Sequence, residues 1–239
     1  MGTACFKQRN GLEALVVVGN CGVVTPDQFS GLASRLQELE VAALKFTTRQ
    51  TLVLVLPPEK KEQACYIVEE LGLKVGTYGG VVRNVKACCG DGDLCTWSRG
   101  DALKLGTGLQ QNYWGYPAPK DFKISVAGCS RGCTDPLCAD LGAIATGPDS
   151  FDVYIGGRGA TLRPTHGELL VKGITASGVT ALVQKILDRY TELAEPKERF
   201  VSLVQRLGTA PFHPGEDWLR QHRSGDEPAS EFLDFLKDS

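Results

Sequence analysis

The chain has no apolar run near the roughly 18–20 residues that a membrane-crossing helix requires. Its opening residues, MGTACFKQRN, hold no apolar signal core, and Phe6 stands where an N-myristoylation motif has Ser or Thr. Charge of either sign is not in surplus. The 26 Lys and Arg against 28 Asp and Glu leave a formal net charge of -2, without the electrostatic footprint of a nucleic-acid or membrane-surface binder. A dinucleotide fingerprint is missing too, because GGRG at 156–159 lacks the spacing and context of GxGxxG. The three histidines, His166, His213 and His222, are isolated and read as surface or loop-capping residues. Tandem repeats and low-complexity segments are absent. These lacks lead to the expectation of a cytoplasmic globular protein with no nucleic-acid and no membrane partner. At 239 residues and 42% hydrophobic content, it is long enough to bury a real core.

Cysteine is what the chain has in excess. Nine are present, an odd number in a chain without a secretion signal, so metal or cluster binding is favoured over a disulfide framework. Cys5, Cys21 and Cys65 are scattered and read as buried thiols. The other six crowd between residues 88 and 138. Cys89 and Cys95 are spaced C-x5-C, and Cys129 and Cys133, in GCSRGCTDP, are spaced C-x3-C. Four thiolates from two loops can hold a metal ion or a 4Fe-4S cluster. Zinc favours tighter knuckles, so the wider loop suits the larger group. Gly90, Gly92, Gly128 and Gly132 let backbone N–H groups approach cluster sulfurs. Cys88 is a rival to Cys89, and Cys138 reads as a buried thiol.

Around these loops the pattern predicts an α+β chain. Residues 15–18 form a short strand. Thr25-Pro26-Asp27-Gln28 starts a helix, with Thr25 as N-cap and Gln28 three residues later. The β-branched run from Leu44 to Leu56 reads as one strand ending at Pro57-Pro58. A second helix spans Glu59 to Leu71. This β-α-β-α order reads as half of a split βαβ sandwich. Further on come a helix near 99–110, strands at Phe122–Ala127 and Val153–Ile155, helices at about 176–194 and 196–207, and a short helix at 229–237. Three parts are expected: residues 10–80, 81–210, and a tail at 211–239. No linker separates the first two, so they should pack together. Trp97, Tyr113, Trp114 and Tyr116 read as packing residues.

With these motifs in view, the chain resembles the sirohaem-containing sulfite and nitrite reductases, and among them the small single-copy assimilatory-type sulfite reductases. The cysteine spacing carries the resemblance together with GVVTPDQF (22–29), LKFTTRQTLVLVL (44–56), VVRNV (81–85), PKDFKISVAGCSRGC (119–133), DLGAIA (140–145), YIGGRG (154–159) and KERFVSLVQRLG (197–208). It implies a ferredoxin-like half-domain packed on a 4Fe-4S and sirohaem module. It implies Cys89, Cys95, Cys129 and Cys133 as cluster ligands, with Cys133 also bridging to the sirohaem iron. Lys45, Thr47, Arg49, Gln50, Arg131 and Arg158 become candidates for the carboxylate-rich tetrapyrrole. Arg83, Lys123 and Lys120 become candidates for the substrate anion, sulfite or nitrite. Arg49 stands out because a charge on an apolar strand is costly unless paired.

Larger members carry Lys-x-Lys where this chain reads Asp121-Phe122-Lys123, so one cation is missing or supplied by Lys120. They also hold two copies of the unit, whereas this chain has one, so it works alone or two chains pair as a homodimer. The implied activity is reduction of sulfite to sulfide or nitrite to ammonia, with electrons from an external ferredoxin-like protein. The alternatives are a subunit of a larger dissimilatory-type reductase, a corrin-biosynthesis monooxygenase, or a non-catalytic metal module.

Overall fold

A computed structural model describes residues 2–90, 93–159 and 161–225. The first part of the chain runs through strands β1 (Gly2–Thr3), β2 (Cys5–Lys7) and β3 (Glu13–Val18), helix α1 (Pro26–Arg35), strands β4 (Ala43–Phe46) and β5 (Thr51–Leu56), helix α2 (Lys61–Glu70), and strands β6 (Lys74–Val75) and β7 (Thr77–Tyr78). From β3 to β6 this is a complete β-α-β-β-α-β unit rather than the expected β-α-β-α half. Its sheet is antiparallel in the order β2-β3-β5-β4, with β6 also paired to β3.

Helix α1 begins as its sequence dictates. The Thr25 hydroxyl accepts from the Gln28 N–H at 3.2 Å, and the Gln28 side chain accepts from the Thr25 N–H at 3.0 Å. Leu15, Leu32, Leu54, Leu56 and Val68 close a core between the sheet and the two helices.

The run read as one strand over 44–56 is two strands. It folds back on itself at Thr47-Thr48-Arg49-Gln50, so β4 and β5 pair as a hairpin with Leu44 opposite Leu54. Gln50 takes the left-handed conformation, at φ 57°. The sequence hides this turn because no glycine marks it. The two threonines close the tip, with 2.6 Å between the Thr47 and Thr51 hydroxyls.

The second part holds β8 (Lys86–Ala87), α3 (Ala102–Tyr113), β9 (Ile124–Ala127), β10 (Leu141–Gly147), β11 (Ser150–Ile155), β12 (Glu168–Ile174), α4 (Ala176–Leu193), α5 (Phe200–Leu207) and α6 (Glu216–His222). Its mixed sheet has the order β12-β11-β10-β9-β8, parallel between β8, β9 and β10 and antiparallel beyond. Sequence reading missed β10 and β12, and it placed the helix before β9 a few residues early. The expected helix at 229–237 lies outside the described residues. Phe122, Tyr190, Phe200 and Phe212 form a chain of ring contacts at 5.0–6.0 Å in the second core. Among the described residues no helix is long and apolar enough to cross a membrane.

Side chains reach from each part to the backbone of the other. The Gln50 amide donates to the Ala87 carbonyl at 2.7 Å and accepts from the Ala87 N–H at 3.0 Å. Asn84 donates to the Arg49 carbonyl at 2.8 Å, and the Arg49 guanidinium donates to the Asn84 carbonyl. From α3, Gln110 donates to the Gly19 carbonyl at 3.0 Å and accepts from the Val85 N–H at 3.1 Å. The hairpin tip is thereby clipped onto the strand that leads into Cys88 and Cys89.

Candidate functional site

Three cysteine-bearing segments meet beside the clip. Gly90 and Gly128 lie against each other: a Cβ built on either would stand 3.1 Å from the other's Cα. The Arg99 N–H donates to the Gly128 carbonyl at 2.7 Å and the Ala102 N–H to the Gly90 carbonyl at 2.8 Å. The Arg131 guanidinium lies 3.9 Å from the centre of the Trp97 ring, which ties the C-x3-C loop to the segment after Cys95. Cys88, Cys89 and Cys133 line one cleft of about 570 Å³ together with Phe46, Thr47 and Gln50 from the hairpin.

Cys88 turns inward. Its sulfur receives the Gly128 N–H at 3.1 Å, and burial pushes its thiol up from the ordinary value. Cys89 and Cys133 are exposed. Among the described residues, no three Cys, His, Asp or Glu side chains converge on a point where a single metal ion would sit. Cys89 and Cys133, exposed on two glycine-lined loops and bordering one cleft, suit a group larger than a single ion, such as an iron–sulfur cluster.

The same hairpin tip borders a second cleft, of about 360 Å³, on its other side. Thr48 and Arg49 line it with Lys86, Lys123, Arg158, Arg199, Asp135 and Asp140, and Thr134 lies between the two clefts. The cleft is cationic. Lys86 is paired with Asp135 at 3.2 Å. Arg49 is half-buried, its buried Nε has no hydrogen-bond partner, and no carboxylate is paired with it among the described residues. Burial and the neighbouring Arg83 bring its guanidinium down to about 10. An orphaned buried donor of this kind is stabilised when an anion fills the cleft.

Asp140 is the buried acid of the site. Its Oδ2 accepts the Lys123 N–H at 2.8 Å, yet burial pushes its carboxyl up to about 7. Asp121 carries two cations at once, with Arg199 Nη1 at 2.8 Å from Oδ1 and Lys123 Nζ at 3.5 Å from Oδ2.

Of the residues singled out from sequence, Thr47, Gln50, Cys89 and Cys133 line the first cleft, and Arg49, Lys123 and Arg158 the second. Lys45, Arg83, Lys120, Arg131, Cys95 and Cys129 line neither. Lys45 is exposed on β4, and Arg83 lies over the Tyr78 ring at 5.7 Å. Arg49 is not on a strand, as the apolar run implied, but at the hairpin turn. Gln50 spends both ends of its amide on Ala87. Asp140, Lys86 and Arg199 went unremarked in the sequence because each joins the cleft from a distant segment. Only KERF at 197–200, inside a stretch already noted for resemblance, pointed toward Arg199.

The profile of the nitrite and sulphite reductase 4Fe-4S domain matches residues 78–214. The chain is 30% identical over 203 residues to an NAD(P)H nitrite reductase of Bacillus subtilis, covering 84% of this chain and 24% of that protein. It is 28% identical over 196 residues to an assimilatory-type sulfite reductase of Nitratidesulfovibrio vulgaris, covering 82% of this chain and 88% of that protein. It thus spans about a quarter of the first relative and most of the second. Among solved structures it resembles Mycobacterium tuberculosis NirA with a TM-score of 0.72 at 21% identity, over 88% of this chain and 41% of that one. It also resembles dissimilatory sulfite reductase I with a TM-score of 0.74 at 13% identity, over 92% and 71%. At such identities the two structures speak to the fold.

Proposed function

Because the chain belongs to the nitrite and sulphite reductase 4Fe-4S domain family, we propose that it reduces a small oxyanion, sulfite to sulfide, with nitrite to ammonia as the alternative substrate. Cys89, Cys95, Cys129 and Cys133 would hold the 4Fe-4S cluster, with Cys133 shared with the iron of a sirohaem. When bound, these groups would supply single electrons and the iron at which the oxyanion is reduced. The electrons would come from an external ferredoxin-like donor.

The observation that carries the reading is Arg49. Its guanidinium is desolvated, its Nε is unpartnered, and it borders the cationic cleft from a hairpin clipped to the cysteine loops. Arg49 and Arg158 are proposed to take carboxylates of the tetrapyrrole, with Lys45, Thr47, Gln50 and Arg131 as the outer candidates. Lys123 and Arg83, with Lys120 behind them, are proposed for the substrate anion. Fixed cations in a partly dry cleft stabilise negative charge without reorganising, which favours S–O or N–O cleavage. Burial of Asp140 raises its carboxyl to about 7, so it can hold a proton well above the ordinary carboxylate range. It lines the cleft, and its carboxyl is proposed to supply a proton to an oxygen leaving the substrate.

The test is an anaerobic visible spectrum of the purified protein, with iron, acid-labile sulfide and tetrapyrrole analysis, followed by sulfide release from sulfite under a strong reductant. A colourless preparation with zinc and no iron would refute the proposal. Iron and labile sulfide without extractable sirohaem would point to electron transfer or corrin chemistry instead. Cys133→Ser should abolish the coupled chromophore.

A further inference from the structure

We infer that Arg199 is a further oxyanion-binding cation of this cleft and that Asp121 is its positioning residue. The inference rests on the reductase reading for its substrate and on geometry for its residues.

Asp121 is the most enclosed member of an ion trio. Its side chain is 12% exposed, against 26% for Lys123 and 36% for Arg199. The carboxylate therefore sits below, with one cation on each oxygen, and the two cations present the accessible side. Both cations line the cleft. One carboxylate between two cations leaves the trio itself with net positive charge and holds two long side chains in one geometry, with Asp140 beside it, bonded to the Lys123 N–H. That reduces the ordering each would otherwise undergo when an anion binds.

The trio is fixed from beneath by hydrophobic packing. Phe122, between Asp121 and Lys123, and Phe200, next to Arg199, are both fully buried, with ring centroids 5.1 Å apart. This contact sets how Arg199 faces Asp121 across 78 residues of sequence. Arg199 is also the N-cap of α5, and no side chain caps that helix. An arginine side chain cannot accept from the first-turn N–H groups; the Arg199 carbonyl accepts the Ser202 N–H at 2.9 Å, while the Phe200 and Val201 N–H groups have no side-chain cap, so the helix N-terminus keeps positive character beside the same cleft. Val201, in that first turn, lines it as well. A guanidinium, an ammonium and a helix N-terminus thus face one space, next to Arg49. A planar fork with donors to spare, bonded to Asp121 through Nη1, can give its remaining N–H groups to a sulfite or nitrite oxygen.

The experiment uses the protein as purified. Sulfite is titrated into the wild type, Arg199→Gln, Arg199→Lys and Asp121→Asn. The dissociation constant is read by calorimetry, alongside iron content and Tm. Arg199→Gln should weaken sulfite about tenfold, the order expected for losing a charge-assisted hydrogen bond, with iron content and Tm unchanged. Arg199→Lys should recover part of that loss. Unchanged affinity in Arg199→Gln, or affinity that falls only as Tm falls, would overturn the inference. Should Arg199→Gln not fold, Asp121→Asn decides. A loss of about threefold with Tm retained supports the clamp, and unchanged affinity overturns it. Wild-type protein that binds sulfite yet releases no sulfide on reduction would sink the reductase reading while leaving the Arg199 comparison intact.

Discussion

Asp140 shows how much one residue's surroundings decide. Its carboxyl ordinarily titrates at 3.8 and is raised to about 7 by burial, against the pull of the Lys123 N–H and of the Lys123 and Arg49 charges, with Asp121 adding to the rise. Between about pH 4 and pH 7 the folded chain keeps a proton that the unfolded chain has released. This group's contribution to stability therefore falls as pH rises through that window and levels off above it. Asp140→Asn keeps the shape and an acceptor for the Lys123 N–H. Its urea midpoint should vary less across that window than the wild type's, and an equally steep fall would show that other groups set the dependence. Asp140→Asn should also lower turnover in the proposed reduction about tenfold or more if this carboxyl supplies a proton. The 4Fe-4S domain family was legible in the sequence because cysteine spacing is local. The Asp121–Arg199 pair was not, because nothing in KERF or PKDFK says that the two segments meet. Asp121 looked like a lost cation when read alone, whereas the fold makes it the holder of two.

At the scale of elements, the helices were the most readable, since Thr25 and Gln28 announce α1 in four residues. The 44–56 run was misread because β-branched residues fill both arms of the hairpin and its turn has no glycine. The left-handed Gln50 is stabilised by bonds to Ala87 that no local pattern encodes. The loop contacts are equally specific. A Cβ on Gly128 would lie 2.7 Å from Ser98 Oγ, 3.1 Å from Gly90 Cα and 3.2 Å from the Gly100 carbonyl. Gly128→Ala should therefore push the cysteine segments apart at a cost of about 1–3 kcal/mol. The expected outcome is a loss of about half the bound iron with far-UV circular dichroism unchanged. Full iron retention would mean that the loops separate without disturbing the thiols.

In the whole molecule, two cores are joined by a few polar side chains that grip backbone across the boundary. Sequence reading foresaw that the parts would pack, from the missing linker, but could not say through which groups. Gln50→Ala and Gln110→Ala each leave buried backbone groups unpaired, at about 1–3 kcal/mol apiece. Calorimetry of the double variant should show two unfolding transitions where the wild type shows one. A single transition shifted downward would mean that apolar contacts alone couple the cores. Phe200→Ala, in the ring chain beneath Arg199, should cost about 3–5 kcal/mol, read from urea unfolding.

The clip between Gln50 and Ala87 also has a consequence for the order in which the chain comes off the ribosome. The β-α-β-β-α-β unit is complete by residue 75, before any of the six clustered cysteines has been made. Its hairpin tip is therefore waiting when Ala87 emerges, and it can seize that backbone as Cys88 and Cys89 follow. The first two of the six clustered thiols are then delivered beside a surface that is already folded.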